Sequence, residues 1–435
     1  MNNKTIRNKS LYFMMTIALM IVSCSKKDSS NGQSDTAPNA AVIDLADSQQ
    51  IIRGFGGMNY LPQRPDMTAD QVKKAFGTDS GQIGLSILRL RVPFQESEFG
   101  LNVATSKLAS SMGVTIIASP WTPPAWMKTN KNIVGGRLND TSYASYAAHL
   151  KSFTDYMASN GIPLYAISVQ NEPDISVSYE SCSWNASEML AFVKNNAPAI
   201  GTKIIVPESF NFDHTISDAV LNDSIAASHV SIIGGHIYGE GFKGFLWSLY
   251  QSIIAGGHVL NGGLTSYPLA ANKGKEVWMT EHLNTDTSWS AVIGTAREIH
   301  DCMNAGMGAY IWWYIVRFYG PILEDGNISK RGYIMSQYAR FIRPGYARVH
   351  ATANPQSDVY VTAYKNSSKV TIVAINSNGS SIRQTFTIRN GTVSRFIPCV
   401  TSSTKNCIQG NAVSVSNGSF TATLEPSSVT TFVSN

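Results

Sequence analysis

Eight short apolar runs recur between residues 54 and 315, separated by stretches long enough for helices. They span residues 54–59, 86–92, 114–120, 165–172, 203–209, 232–238, 276–282 and 308–315. Continuous apolar runs bounded by turn residues suit strands buried on both faces, as in parallel sheets. One intervening stretch has a clear helical period. Asp140 or Thr141 can cap a helix whose Tyr146, Leu150, Phe153 and Met157 share one face, ending near Gly161. Strand and helix alternating eight times predict an α/β fold, a (β/α)8 TIM barrel over residues 53–342.

The pattern changes after Gly345. Residues 358–364 and 369–375 alternate or run apolar over short lengths, and Asn-Gly and Gly-Ser turns separate such runs. No helical period survives. Residues 343–435 therefore read as an antiparallel β-sandwich side domain. The leading segment 41–52 holds a strand-like Ala-Val-Ile-Asp-Leu and is expected to add a strand to that sandwich.

Two barrel runs end in a glutamate. Glu172 lies in Val169-Gln-Asn-Glu-Pro-Asp174, and Glu281 in Val277-Trp-Met-Thr-Glu-His282. Barrel chemistry sits at the carboxyl ends of the strands, so the two carboxylates are expected to face each other across one cleft. Glycosidic bond cleavage needs such a pair: an acid for the leaving oxygen and a nucleophile or base for the sugar carbon. Glu172 is the expected acid/base and Glu281 the expected nucleophile. Asn171 can donate to a sugar hydroxyl beside the reacting carbon. Arg91, ending the second run, and Tyr238, ending the sixth, are expected to keep the nucleophile ionised by charge pairing and a phenol hydrogen bond. His236 and His282 read as packing or supporting residues. Of the aromatics in these loops, Trp121 and Trp313 are the expected sugar-stacking rings, and Trp312 is expected to be buried.

Composition narrows the partners. Charged residues make up 14% of the chain, against ~25% in typical soluble domains. The net charge of +5 includes Lys4, Arg7 and Lys9 near the N-terminus; the remainder carries +2. No basic stripe or zinc-finger spacing points to nucleic acid. The basic start, the apolar run from Leu11 to Val22 and the sequence Ile21-Val-Ser-Cys24 form a lipoprotein signal peptide over 1–23, with Cys24 as the lipid-anchored residue. Residues 24–40 are a polar, flexible tether. An exported monomer anchored to the outer membrane, at the cell surface or in the periplasm, is expected. Export permits disulfides. Cys399 and Cys407 can close a hairpin loop, whereas pairing of Cys182 with Cys302 is undecided. No Cys-x-x-Cys or His-Glu-x-x-His occurs, so no metal and no cofactor are expected.

These residues carry a resemblance. Gly54-Phe-Gly-Gly57, Trp121-Thr-Pro-Pro-Ala-Trp-Met-Lys128, Val169-Gln-Asn-Glu-Pro-Asp174 and Trp278-Met-Thr-Glu-His282 resemble glycoside hydrolase family 30, from about residue 41 to the C-terminus. The resemblance implies a retaining hydrolase with Glu172 as acid/base and Glu281 as nucleophile. Trp312-Trp-Tyr-Ile-Val-Arg-Phe-Tyr-Gly-Pro321, with Glu324-Asp-Gly and Ser329-Lys-Arg-Gly-Tyr333 after it, resembles the glucuronoxylanase branch. There a strand-eight loop arginine grips the glucuronic acid carboxylate of xylan, which implies substrate-binding roles for Arg317, Tyr314, Tyr319 and Trp313. Two departures stand out. The branch commonly shows two consecutive arginines, but here the first is Val316. The loop after Glu281 is short and carries Asp286.

The expected activity is retaining endo-hydrolysis of β-1,4-xylan directed by glucuronic acid branches. Two other readings stay open: hydrolysis of another β-glycan, such as neutral xylan, β-glucan or a β-1,6-glycan, and a surface lipoprotein that only binds glycans.

Overall fold

The computed structural model describes residues 38–238 and 264–435. The expected signal peptide, Cys24 and the tether through residue 37 lie outside the described residues. No helix among the described residues is long and apolar enough to cross a membrane.

Eight parallel strands close into a barrel: β2 (Gly54–Asn59), β3 (Ile87–Val92), β4 (Thr115–Pro120), β5 (Ala166–Ser168), β6 (Lys203–Ser209), β7 (Ile232–His236), β8 (Glu276–His282) and β9 (Ala309–Trp312). The expected TIM barrel is present. Its lower interior is filled by Ile87, Ile117, Ala166, Ile205, Ile232, Trp278, Ala309 and Ile311, a packed core rather than a pore. Outside, the helix Tyr143–Ser159 buries Tyr146, Leu150, Phe153 and Met157. It starts later than the sequence suggests, because Asp140–Ser142 form a 3-10 turn first. Gly161 follows at φ +79°, a left-handed position that ends the helix without a Cβ clash.

The second domain is one ten-stranded sheet. Its strands are β1 (Ala41–Ile51), β10 (Ala347–Ala351), β11 (Val359–Lys365), β12 (Val370–Asn376), β13 (Ile382–Arg389), β14 (Arg395–Thr401), β15 (Ile408–Gln409), β16 (Val413–Ser414), β17 (Ser419–Leu424) and β18 (Ser428–Ser434). The order β15-β14-β18-β12-β11-β10-β1-β13-β17, with β16 pairing β14 off this path, puts β13 and β17 far from β14 and β18 along the sheet. Yet Phe386 of β13 meets Phe432 of β18, and Phe420 of β17 meets Phe396 of β14, at ring distances of 5.3 and 5.0 Å. The sheet therefore curls onto itself and makes two layers around an apolar centre. It is not wholly antiparallel: β1 pairs antiparallel with β10 but parallel with β13.

Barrel and sheet share packing. Tyr364, Val373, Ile375 and Val429 from the sheet join the apolar cluster of the barrel. The Thr431 hydroxyl donates to the Gln337 carbonyl at 2.7 Å, and the Gln337 amide donates to Thr401 at 2.7 Å. This apolar, hydrogen-bonded seam joins the side domain to the barrel. Cys399 and Cys407 form a disulfide with Cα atoms 5.3 Å apart, within the usual range. Cys182 and Cys302 are buried and free.

Candidate active site

Period-two alternation alone would not bring the glutamates together. Trp278 of β8 points into the barrel, so Thr280 should follow it and Glu281 should face out. The register between β8 and its neighbours shifts at this end: between Gly235 and His236 against β7, and between Met279 and His282 against β9. Such irregularities re-aim side chains at barrel rims. Glu281 is consequently buried at the mouth, 6% exposed. Glu172 and Glu208 reach the same place by another device, since their backbones take φ +45° and +56°. Positive φ is unfavourable for side-chain-bearing residues and is tolerated where surrounding structure imposes it.

One oxygen of Glu172 and one of Glu281 lie within 4.8 Å of each other and of a His236 ring nitrogen. A retaining pair sits at about 5–5.5 Å, whereas an inverting pair needs ~6.5–9.5 Å for an intervening water. The two carboxyls have unlike surroundings. Glu281 Oε2 takes Arg89 Nη1 at 2.5 Å, and its Oε1 accepts from the Tyr238 hydroxyl at 2.8 Å. Burial, then the Glu281 charge, raise the Tyr238 phenol well above its ordinary range, so it remains a donor. Glu172 Oε1 lies 2.9 Å from His236 Nδ1, and Oε2 lies 3.5 Å from the Tyr179 hydroxyl. Burial, then the charges of Asp174 and Glu208, push the Glu172 carboxyl up to about 8, against the pull of Arg89. Burial also lowers the His236 pKa, leaving a neutral imidazole near pH 7. One carboxyl is thus held in contact with a cation and a phenol, the other is buried against a neutral imidazole with carboxylates nearby, which is the division of labour that acid and nucleophile need.

Tyr238 meets Glu281 as expected. Asn171 turns its amide oxygen to Arg89 Nη2 at 2.7 Å and leaves its buried Nδ2 with no partner. That spare donor fits a sugar hydroxyl, because a buried unpaired N–H is costly. Arg91 is a correction. It forms a fork on Glu180 at 2.7 and 2.9 Å and reaches Glu98 at 3.0 Å. The cation beside the nucleophile is Arg89, two residues earlier on β3. Both arginines face the interior, but a two-residue rise of ~6.6 Å puts Arg91 one layer above Glu281. Sequence reading also missed Glu208, whose Oε1 lies 3.2 Å from Arg89. Burial opposes its ionisation, yet Arg89 wins and holds its carboxyl low. Its signal was the same as for the other two: a carboxylate at the carboxyl end of a barrel strand.

Glu172, His236 and Glu281 also present donor atoms as metal ligands would. A guanidinium already sits on Glu281, and Glu172 holds its proton near pH 7, so the set is poorly suited to a divalent cation.

A cleft of about 1200 Å³ opens over these groups. Trp121, Trp313 and Tyr314 line it, together with Tyr60, Tyr179 and Phe210. Tyr60 stands 4.8 Å edge-on to Trp121 and 5.2 Å from Trp313. Trp312 is fully buried, as expected. Tyr319 is buried and Arg317 lies beside it. Arg317 is outside the cleft lining, and its Nη1 pairs with Glu324 at 3.0 Å. His282 Nδ1 lies 2.8 Å from a Glu298 oxygen, and both residues line the same cleft.

Residues 86–245 match the family model of the glycosyl hydrolase family 30 TIM-barrel domain. Glucuronoxylanase XynC of Bacillus subtilis is 42% identical over 409 residues, covering 92% of this chain and 92% of that one. The chain belongs to glycoside hydrolase family 30. Solved family 30 structures agree. The subfamily 8 xylanase Xyn30A of Clostridium acetobutylicum superimposes with a TM-score of 0.81 at 39% identity, over 91% of this chain and all of that one. A family 30 endoxylanase of Clostridium papyrosolvens C71 gives 0.80 at 38%, with the same coverage. The chain is a glycoside hydrolase.

Proposed function

We propose that this family 30 hydrolase cleaves β-1,4-xylan internally with retention, directed by glucuronic acid branches. The observation that carries the reaction type is the pairing of Glu172 and Glu281 within 4.8 Å in opposite electrostatic settings. The substrate class rests on Arg317 beside Tyr319 in the loop after β9, and on relatives named as xylanases and glucuronoxylanases.

In the first step Glu281 attacks the anomeric carbon while Glu172 gives its proton to the leaving oxygen. His236, with its hydrogen on Nδ1, donates to Glu172 Oε1 and leaves Oε2 to carry the acid proton towards Tyr179 and the cleft. Asn171 Nδ2 donates to the sugar hydroxyl next to the reacting carbon. In the second step ionised Glu172 takes a proton from water, which displaces Glu281. Trp121 and Trp313 supply apolar faces for sugar rings, and Tyr314 and Tyr319 help Arg317 hold the branch carboxylate. A guanidinium fork suits that planar anion better than an ammonium. No cofactor enters the scheme.

The chain is further read as an exported monomeric lipoprotein, tethered to the outer membrane through acylated Cys24. Metabolic labelling with a fatty acid tests this: wild type should take up label and Cys24→Ala should not. For the activity, products from glucuronoxylan, arabinoxylan and unsubstituted xylan are compared. Fragments with one branch each, from glucuronoxylan above the others, support the reading; equal digestion of all three overturns the branch requirement. A wild type that releases no reducing sugar from any β-glycan returns the chain to glycan binding alone.

A further inference from the structure

Arg317 does not meet Glu324 alone. Arg64, from the loop that follows β2, points its Nη2 at the same oxygen, 3.4 Å from Glu324 Oε1, while Arg317 Nη1 lies 3.0 Å from it. Two cations from two loops therefore converge on one oxygen of one carboxylate. Their local charge exceeds that of Glu324 by one. Arg64 Nε is buried and has no hydrogen-bond partner, an arrangement that is costly unless a further acceptor arrives. Glu324 itself is 44% exposed, and ion pairs this wet contribute little. Its hold on the two guanidiniums is readily exchanged for another carboxylate.

The site adjoins the cleft on both sides. Gln63, next to Arg64, lines the cleft, as does Tyr314, three residues before Arg317. Both guanidiniums act on the Tyr314 and Tyr319 phenols, which also feel Glu281. Position 316 offers no second cation. Val316 packs against the barrel's apolar cluster, and its backbone bridges Ile322. A charged side chain there would lose apolar packing and face desolvation.

We propose that Arg64 is a second anchor for the branch carboxylate of the substrate, so that the loops after β2 and β9 together read the uronate, with Glu324 marking the place where the anion sits. This rests on the uronate-directed reading above and extends it to a residue on a different loop.

The test uses the inactive Glu281→Gln enzyme, titrated by calorimetry with xylotetraose carrying one glucuronic acid branch and with plain xylotetraose. The readout is the ratio of the two affinities. Arg64→Ala should cut that ratio about ten-fold, less than the loss expected for a fully desolvated charge pair, because this contact is partly exposed. Arg64→Lys should recover part of it, because charge returns without the fork. Raising salt should shrink the parent's ratio more than the Arg64→Ala variant's. A parent with no preference for the branched probe overturns the uronate reading itself. A preference that Arg317→Ala removes and Arg64→Ala spares overturns the role of Arg64 alone. Equal losses on both probes, with Arg64→Lys no better, make Arg64 a structural residue and also overturn its role as an anchor.

Discussion

Arg89 Nη1 lies 2.5 Å from Glu281 Oε2, with the guanidinium fully buried at the centre of the barrel mouth. The same group holds Asn171 Oδ1 at 2.7 Å, Ser119 at 3.1 Å and Glu208 at 3.2 Å. Glu208 matters to this arrangement because it shares the charge. Glu208 and Glu281 both act on the Arg89 cation and favour its charged form against the cost of burial. Arg89→Lys should therefore keep a cation but lose the fork that orients Glu281 and Asn171 together. A drop in kcat of about a hundred-fold or more is expected, with substrate binding changed much less. Comparable losses in kcat and in affinity would reduce Arg89 to a packing residue.

Glu281→Gln preserves shape and removes the nucleophile. Turnover should fall at least about a thousand-fold while oligosaccharide binding persists. In the wild type, the first product seen by proton NMR should carry the β-anomeric configuration of the substrate. An α-product would contradict a pair of oxygens within 4.8 Å acting by double displacement.

Glu172 predicts the alkaline limb of the pH profile. The carboxyl is pushed up to about 8, and it must be protonated to act as acid. The kcat/KM value should hold through neutrality and fall as pH rises through about 8. Stability shares that sign. The folded pKa lies above the ordinary 4.5, so the contribution to stability is complete below about 4.5 and is lost as pH rises towards 8. Glu172→Gln, which stays neutral, should gain melting temperature relative to wild type as pH rises from 5 to 9. The gain corresponds to a few kcal/mol at most, since one pKa unit is ~1.4 kcal/mol. A constant difference across that range would mean that Glu172 ionises freely in the fold.

The barrel was legible because its eight strands are buried on both faces and so read as unbroken apolar runs. The acid and nucleophile were legible because carboxylates at strand ends have few reasons to sit beside apolar runs. The choice between Arg89 and Arg91 was not legible. Both satisfy the same alternation, and which one stands level with Glu281 depends on how strands stagger around the barrel. Glu208 carries the same strand-end signal as its partners, but only the φ of +56° reveals that it turns inward. The parallel pairing of β1 with β13 was also hidden, because the apolar alternation of Ala41, Ile43 and Leu45 suits either direction. Val316 stood in the sequence as a missing cation. In the fold it is an apolar packing residue, and the second guanidinium near Arg317 comes from a loop some 250 residues away.

Arg317→Ala gives the last prediction, and solvent exposure sets its size. Truncating one partner of a desolvated charged contact costs ~2–5 kcal/mol. Arg317 is 32% exposed and already paired with Glu324, so the lower end applies, about 2 kcal/mol or roughly thirty-fold. The quantity to measure is the ratio of kcat/KM on glucuronoxylan to that on xylan stripped of uronate. It should fall by that factor, mostly through KM, because the carboxylate is held remote from the bond that breaks and is bound alike in ground and transition states. A loss carried by kcat on both polymers would place Arg317 among the groups that shape the barrel mouth through Tyr319. A wild-type ratio near one would move the enzyme to neutral glycans, and the aromatic wall of Tyr60, Trp121 and Trp313 would then account for its specificity without any anion.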